Sequence, residues 1–182
     1  LVGMGAAPRA SIYLGKDEKE NAEGTLGNSF VLLLGVSVIL TIVFLVFGEK
    51  MLLLFGASEN TLPFAKNYLG IYLIGTFFVQ ISIGLNPFIS CQGFAKTAMA
   101  SVIIGAVVNI VLDPIFIFGF HLGVMGAAFA TVISQGISAI WIIRFLASKK
   151  SALSLSVKII KFNPKIIGKI ASLGISPFIM QS

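Results

Sequence analysis

Seven acidic side chains are spread along the 182 residues, and Asp17, Glu18, Glu20, Glu23, Glu49 and Glu59 all fall in expected connections. Asp113 is different: 47 residues separate Lys96 from Arg144, and it is the sole charge among them. A charged carboxylate near mid-bilayer costs roughly 2.5–3.5 kcal/mol even on a lenient insertion scale. Such a group either holds a proton or meets a cation and polar partners inside a helix bundle. Ser101, Gly105, Asn109 and Asp113 recur every fourth residue, which puts them on one face of a helix. After a turn centred on His121, Gly123, Ala127, Thr131, Gln135 and Ala139 repeat the same interval. At 1.5 Å rise per residue, Asp113 lies about 12 Å, Thr131 about 15 Å and Asn109 about 18 Å from that turn. Carboxylate, amide and hydroxyl oxygens at similar depth suit a hard cation such as Na⁺ or, with Asp113 protonated, a proton-coupled site. The same residues also allow a plainer reading, in which Asp113 and Asn109 pair only to hold helices together. Pro114 has no N–H for the carbonyl of Ile110, so the helix is expected to kink or expose a backbone oxygen beside Asp113. Discontinuous helices beside buried carboxylates recur at ion sites in secondary transporters.

The elements that must position these side chains are membrane helices. Hydrophobic residues make up 57% of the chain and charged ones only 11%, and the mean hydropathy is +1.00. Soluble domains carry about 25% charged residues. Uncharged intervals of 25 residues (Glu23 to Glu49) and 29 residues (Lys66 to Lys96) each accommodate one span, and the long interval around Asp113 accommodates two. The expected spans are 25–47, 62–90, 97–118 and 124–145, preceded by the end of another helix up to Leu14. The fold class is thus all-α, a polytopic transmembrane bundle. Gly48, Gly56 and Ser58-Glu59-Asn60 mark a connection, with Met51 to Phe55 lying at the interface. Pro63 is cheap in a first turn, whereas Pro87 should bend its helix or end it early. Both ends of the sequence fall within apolar runs, as expected for a stretch of a longer protein.

The same residues exclude other classes. Cys91 alone makes neither a disulfide framework nor a zinc cluster. A net charge of +6 does not imply nucleic acid, because the cations do not gather on a soluble face. Gly3-Met4-Gly5 lacks the lysine ending of a phosphate loop, and no nucleophile–base pair points to an enzyme. Past Arg144, six lysines from Lys149 to Lys169 alternate with apolar residues, a pattern that fits an amphipathic linker on an anionic lipid surface. Eleven of the 13 Lys and Arg residues fall on one side of the expected topology, and only Lys50 and Lys66 on the other. The positive-inside rule makes the first side cytoplasmic. His121 then lies in an outer hairpin as a polar turn residue.

The motifs resemble the multidrug and toxic compound extrusion (MATE) family along essentially the whole chain. Gly3-Met4-Gly5-Ala6-Ala7-Pro8 through Lys16 is similar to the end of that family's second helix. Tyr68-Leu69 and Asn86-Pro87-Phe88 through Gln92-Gly93 are similar to its fourth helix and the following turn. Asn109-Ile110-Val111-Leu112-Asp113-Pro114, then Gly123-Val124-Met125-Gly126-Ala127-Ala128-Phe129-Ala130-Thr131, carry the most specific match. Leu173-Gly174-Ile175-Ser176-Pro177 resembles the start of helix seven. The resemblance implies a twelve-helix transporter of two lobes. Residues 1–147 would form first-lobe helices two (its end) to six, 148–165 a cytoplasmic amphipathic inter-lobe linker, and 166–182 the start of the second lobe. It also implies a first-lobe coupling site for Na⁺ or H⁺ made by Asn109, Asp113 and Thr131 with a helix-one aspartate that this sequence does not include. Ser90-Cys91-Gln92-Gly93 departs from the many members with an arginine shortly before the glycine, and resembles the bacterial multidrug-export branch.

The implied activity is antiport. Small amphipathic, often cationic, organic compounds leave across the bacterial cytoplasmic membrane as the coupling ion enters. No resident cofactor and no nucleic acid are involved, the lipid bilayer is the surrounding partner, and the intact protein is monomeric. A lipid-linked precursor flippase of related architecture is the alternative. It calls for several basic residues in its cavity, and the spans offer almost none. A non-transporting membrane scaffold is the third reading.

Overall fold

The computed structural model describes residues 2–155, 163, 164, 166–168, 170, 172 and 174. Its elements are helical: α1 (Val2–Gly15), α2 (Lys19–Leu54), α3 (Leu62–Ser90), α4 (Ala95–Pro114) and α5 (Val124–Leu146), with a π-helical turn, Ile115–Gly119, closing α4. Among the described residues four helices are long and apolar enough to cross a membrane: α2, α3, α4 with its π turn, and α5. An isolated segment in lipid has only its own backbone to bond with, so even β-branched runs such as Val36 to Val46 become helix.

Helix α3 is the hub and packs against α1, α2, α4 and α5. Its inward side chains Ile81, Leu85, Phe88 and Ile89 are fully buried. Small residues let the neighbours approach: a Cβ on Gly3 would lie 2.6 Å from the carbonyl oxygen of Gly84. Val102, Ile103, Val107, Ile110 and Val111 of α4 stay exposed, as suits a face turned to lipid or to a further helix.

One expectation about breaks differs from the structure. Helix α2 runs without interruption through Gly48 to Leu54, so Met51 to Leu54 extend the helix. Gly48 is a contact point, because a Cβ there would lie 2.9 Å from Leu69 Cδ2 on α3. Glu49 then reaches across to accept from Lys66 Nζ at 2.9 Å. Helix α3 continues one turn past Pro87 and ends at Ser90, the end expected for that span, and neighbouring α1 packs against the proline ring.

Beyond α5 the chain turns back on the bundle's basic end. The Leu155 N–H donates to the Leu146 carbonyl at 2.9 Å, and Leu153 is fully buried. Gln92 Oε1, in the α3–α4 turn, accepts from the Leu153 N–H at 3.1 Å and from the Ser151 hydroxyl at 2.8 Å. Glu23 Oε1 accepts from the Ser154 N–H at 3.1 Å, and Asn28 Oδ1 from the Asn163 N–H at 2.7 Å. The first part of the expected linker is therefore tied to α2 and to the α3–α4 turn. Lys158, Lys161, Lys165, Lys169, Leu173 and Ile175 to Pro177 lie outside the described residues.

Candidate functional site

Helices α4 and α5 form an antiparallel pair joined at the π turn. Gly105 sits against Ser138, where a Cβ would overlap the hydroxyl, and Gly126 sits against Phe116, where a Cβ would come within 2.7 Å of the carbonyl. These two contacts fix the register. They place Thr131 at a depth between Asn109 and Asp113, in agreement with the helical-rise argument.

The four-residue stripe on α4 divides into two halves. Toward the basic end its polar groups are satisfied. Asn86 Nδ2 of α3 donates to Ser101 Oγ at 2.6 Å and to the Ala98 carbonyl at 3.0 Å. The Ser101 hydroxyl donates to Ala98 at 2.7 Å, and the Ser138 hydroxyl of α5 donates to the Ser101 carbonyl at 2.9 Å. Three helices are joined by this cluster, and Ser101 and Ser138 are buried.

The outer half is looser. Asn109 Nδ2 faces Asp113 Oδ1 at 3.5 Å, the long limit of a hydrogen bond, and both residues are half-buried. Thr131 Oγ1 donates to the Ala127 carbonyl at 2.9 Å, which fixes its proton on the helix and leaves its lone pairs available. Gln135 makes no side-chain hydrogen bond among the described residues. Asn109, Thr131 and Gln135 line a cleft of about 420 Å³ between α3, α4 and α5, with Ser82, Ser134 and Ser138 on its walls. Asp113 stands one turn farther out from Asn109, beside the cleft rather than among its lining residues.

Pro114 shapes the outer end. The carbonyl of Ile110 loses its usual N–H partner there, and the helix gives up its α geometry immediately afterwards. The Phe120 N–H reaches back five residues to Ile115 at 2.9 Å, the spacing of a π turn, and the Leu122 N–H reaches back six to Phe116 at 3.1 Å. His121 and Gly123 complete the reversal, both at φ 54°. A widened turn next to a carboxylate supplies spare backbone carbonyls as well as side-chain oxygens.

A sequence profile of the MatE family matches residues 1–115. The chain belongs to the MatE family. The multidrug export protein MepA of Staphylococcus aureus (strain NCTC 8325 / PS 47) is 31% identical over 183 residues, covering 100% of this chain and 40% of the relative. A solved inward-facing conformation of a multidrug resistance MATE family transporter of the MOP superfamily matches with a TM-score of 0.89 at 27% identity, over 96% of this chain and 40% of that one. An outward-facing conformation, likewise of a multidrug resistance MATE family transporter, matches with a TM-score of 0.84 at 28% identity, over 93% of this chain and 38% of that one. The chain thus spans about two fifths of the length of these relatives. It carries a partial MATE fold, the fold of solved proteins described as transporters.

Within this MATE chain, the structure brings Asn109 to both Asp113 and the cleft that Thr131 lines, while no direct bond joins Asp113 to Thr131 among the described residues. Two structural roles were not visible in the motif residues themselves. Asn86, from the Asn-Pro-Phe stretch, ties α3 to α4. Gln92 ties down the segment after α5. An amide just before Pro87 in a largely apolar run was the available signal for Asn86. Gln92 sits in a turn and gave none. Among the described residues no group of three His, Cys, Asp or Glu side chains could hold a metal, so a cation here would rest on amide, hydroxyl and a single carboxylate oxygen.

Proposed function

We propose that the chain contributes first-lobe helices to a cation-coupled antiporter that exports amphipathic, often cationic, organic compounds across the bacterial cytoplasmic membrane. Asp113, Asn109 and Thr131 form the coupling site, and Na⁺ or H⁺ is the coupling ion. Residues 1–147 belong to the first lobe, 148–165 to the inter-lobe linker and 166–182 to the second lobe, in a protein acting as a monomer. One observation carries the reading: the only intramembrane carboxylate among the described residues lies 3.5 Å from an amide that shares a cleft with a half-free hydroxyl.

The mechanism follows from charge. An ionised Asp113 is costly at this depth, and taking up Na⁺ or a proton removes that cost. The Asn109 amide donates to Asp113 only at the long limit of a hydrogen bond, so it is free to turn its Oδ1 toward an ion, and the π turn at Pro114 gives the outer end of α4 room to change its bend. Loading the ion then favours a helix arrangement in which the organic compound is released outward. Losing the ion to the cytoplasm resets the lobe. The likeness to both inward- and outward-facing neighbours fits a lobe that keeps its internal packing as it moves.

Reconstitution of the full-length protein in proteoliposomes tests this directly. A Na⁺ or a pH gradient, imposed separately, is expected to drive export of a fluorescent organic cation, and Asp113→Asn is expected to abolish it with the protein still inserted. Unchanged ion-driven export in that variant overturns the assignment.

A further inference from the structure

We infer that the basic end of α5 carries a binding site for an anionic phospholipid of the cytoplasmic leaflet, independent of the coupling site. A groove of about 590 Å³ runs along α5 into the turn that follows it. Its lower wall is apolar, made by Ile137, Ile140 and the indole of Trp141, which is 42% exposed. Its upper rim carries Arg144, Ser148 and Lys150. The layers run in the order a lipid presents, with acyl chain against Ile and Trp and phosphate against guanidinium, hydroxyl and ammonium.

Charge complementarity selects the anionic headgroup. All seven acidic side chains of the chain are among the described residues, and the two ion pairs found there are Lys19–Glu23 and Lys66–Glu49. Arg144 and Lys150 therefore have no carboxylate partner among the described residues. An arginine and a lysine on one rim, without a counter-charge, attract a negative headgroup, and a planar guanidinium fits phosphate with two parallel bonds. A tryptophan one turn below them is the side chain that settles at the boundary between tails and headgroups. The excess of cations on this side puts the groove at the cytoplasmic leaflet, where anionic lipid is presented.

Trp141 is the one tryptophan of this sequence and reports on its own groove. The full-length protein, with any tryptophan elsewhere replaced by phenylalanine, is reconstituted with trace phosphatidylglycerol or phosphatidylcholine brominated on the acyl chains. Bromine quenches only an indole it touches. The expected result is a preference for the phosphatidylglycerol probe of roughly tenfold, falling to near equality in Arg144→Gln/Lys150→Gln. Lys149→Gln, a neighbouring exposed lysine outside the groove, should keep the preference. If the double variant does not reconstitute, Lys150→Gln alone is expected to show a partial loss. Three outcomes overturn the inference: equal quenching by both lipids, a preference equally sensitive to Lys149→Gln, or no quenching by either, which would mean that protein covers the groove.

Discussion

The two halves of the α4 stripe share a helix, a spacing and a partner helix, yet they do opposite things with their polar groups. Toward the basic end, the side chains of Asn86, Ser101 and Ser138 donate four hydrogen bonds of 2.6 to 3.0 Å, two of them to the Ala98 carbonyl, and leave little unsatisfied. Toward the outer end, Asn109 and Asp113 meet at 3.5 Å, Thr131 bonds only its own helix, and Gln135 faces a cleft. Lipid offers no water to make up the difference. A satisfied cluster is a fastener between helices. A cluster with spare oxygens has room for a further partner, and around a lone carboxylate that partner carries positive charge. Spacing alone does not separate the two; the packing of α3 behind Ser101 does.

The contrast is sharpest in a pair of variants. Asp113→Asn keeps shape and volume but removes the titrating and cation-attracting charge, so gradient-driven export should fall to background while the thermal midpoint of the full-length protein moves little. Asn86→Leu should do the reverse. It deletes two interhelical hydrogen bonds and leaves Ser101 short of a partner, for an expected loss of about 1–2 kcal/mol of stability. Its export should retain the wild-type dependence on Na⁺ or pH. If Asn86→Leu abolished coupling at unchanged stability, the two halves would be one functional unit.

The ligand role of Thr131 gives the next largest effect. Thr131→Ala removes one oxygen, and losing a single contact to a charged group of about 1.5 kcal/mol weakens cation binding roughly tenfold. Thr131→Ser keeps the oxygen and should bind nearly as well as the parent. Binding is read from ion-dependent fluorescence of the full-length protein. Equal weakening by both substitutions would point to the methyl group, and so to packing rather than ligation.

Much of this was legible before any coordinates. The charge gaps located the four spans, because an uncharged apolar run of this length suits little besides a membrane-crossing helix. The lone Asp113 and its four-residue companions were visible for the same reason. The antiparallel α4–α5 register followed from one short turn and the rise per residue. The unreadable parts were those where a residue type has two possible uses. Gly48 reads as a break, yet it is a close contact with Leu69 in an unbroken helix. Pro87 reads as a bend or an early end, and α3 does end within a turn of it; the packing of α1 against its ring is the use the sequence does not show. Ser101 reads as part of the same stripe as Asp113, and only the position of Asn86 shows that it is already bonded. Gln92 and the turn back at Leu153 depend on residues about 60 positions apart, beyond the reach of periodicity.

The smallest expected effect lies at the satisfied end, where partial burial should also slow chemistry. Cys91 donates its thiol to the Phe88 carbonyl at 3.3 Å, and Gln92 Nε2 donates to the same oxygen at 2.7 Å. Burial pushes the Cys91 thiol up to about 11. The thiolate is the reactive form, so alkylation should be slow at pH 7.5 and should go on accelerating toward pH 11 instead of levelling off in the usual thiol range. Gln92→Leu removes the amide that anchors both the turn and the Ser151–Leu153 segment. Water then reaches the thiol, its pKa falls toward the ordinary value, and labelling at pH 7.5 should quicken while the ion dependence of export is retained. The measurement is the modified fraction of the Cys91 peptide against pH, by mass spectrometry. An unchanged profile in Gln92→Leu would show that the thiol is shielded by α3 itself, and that the Gln92 tie holds only the segment beyond α5.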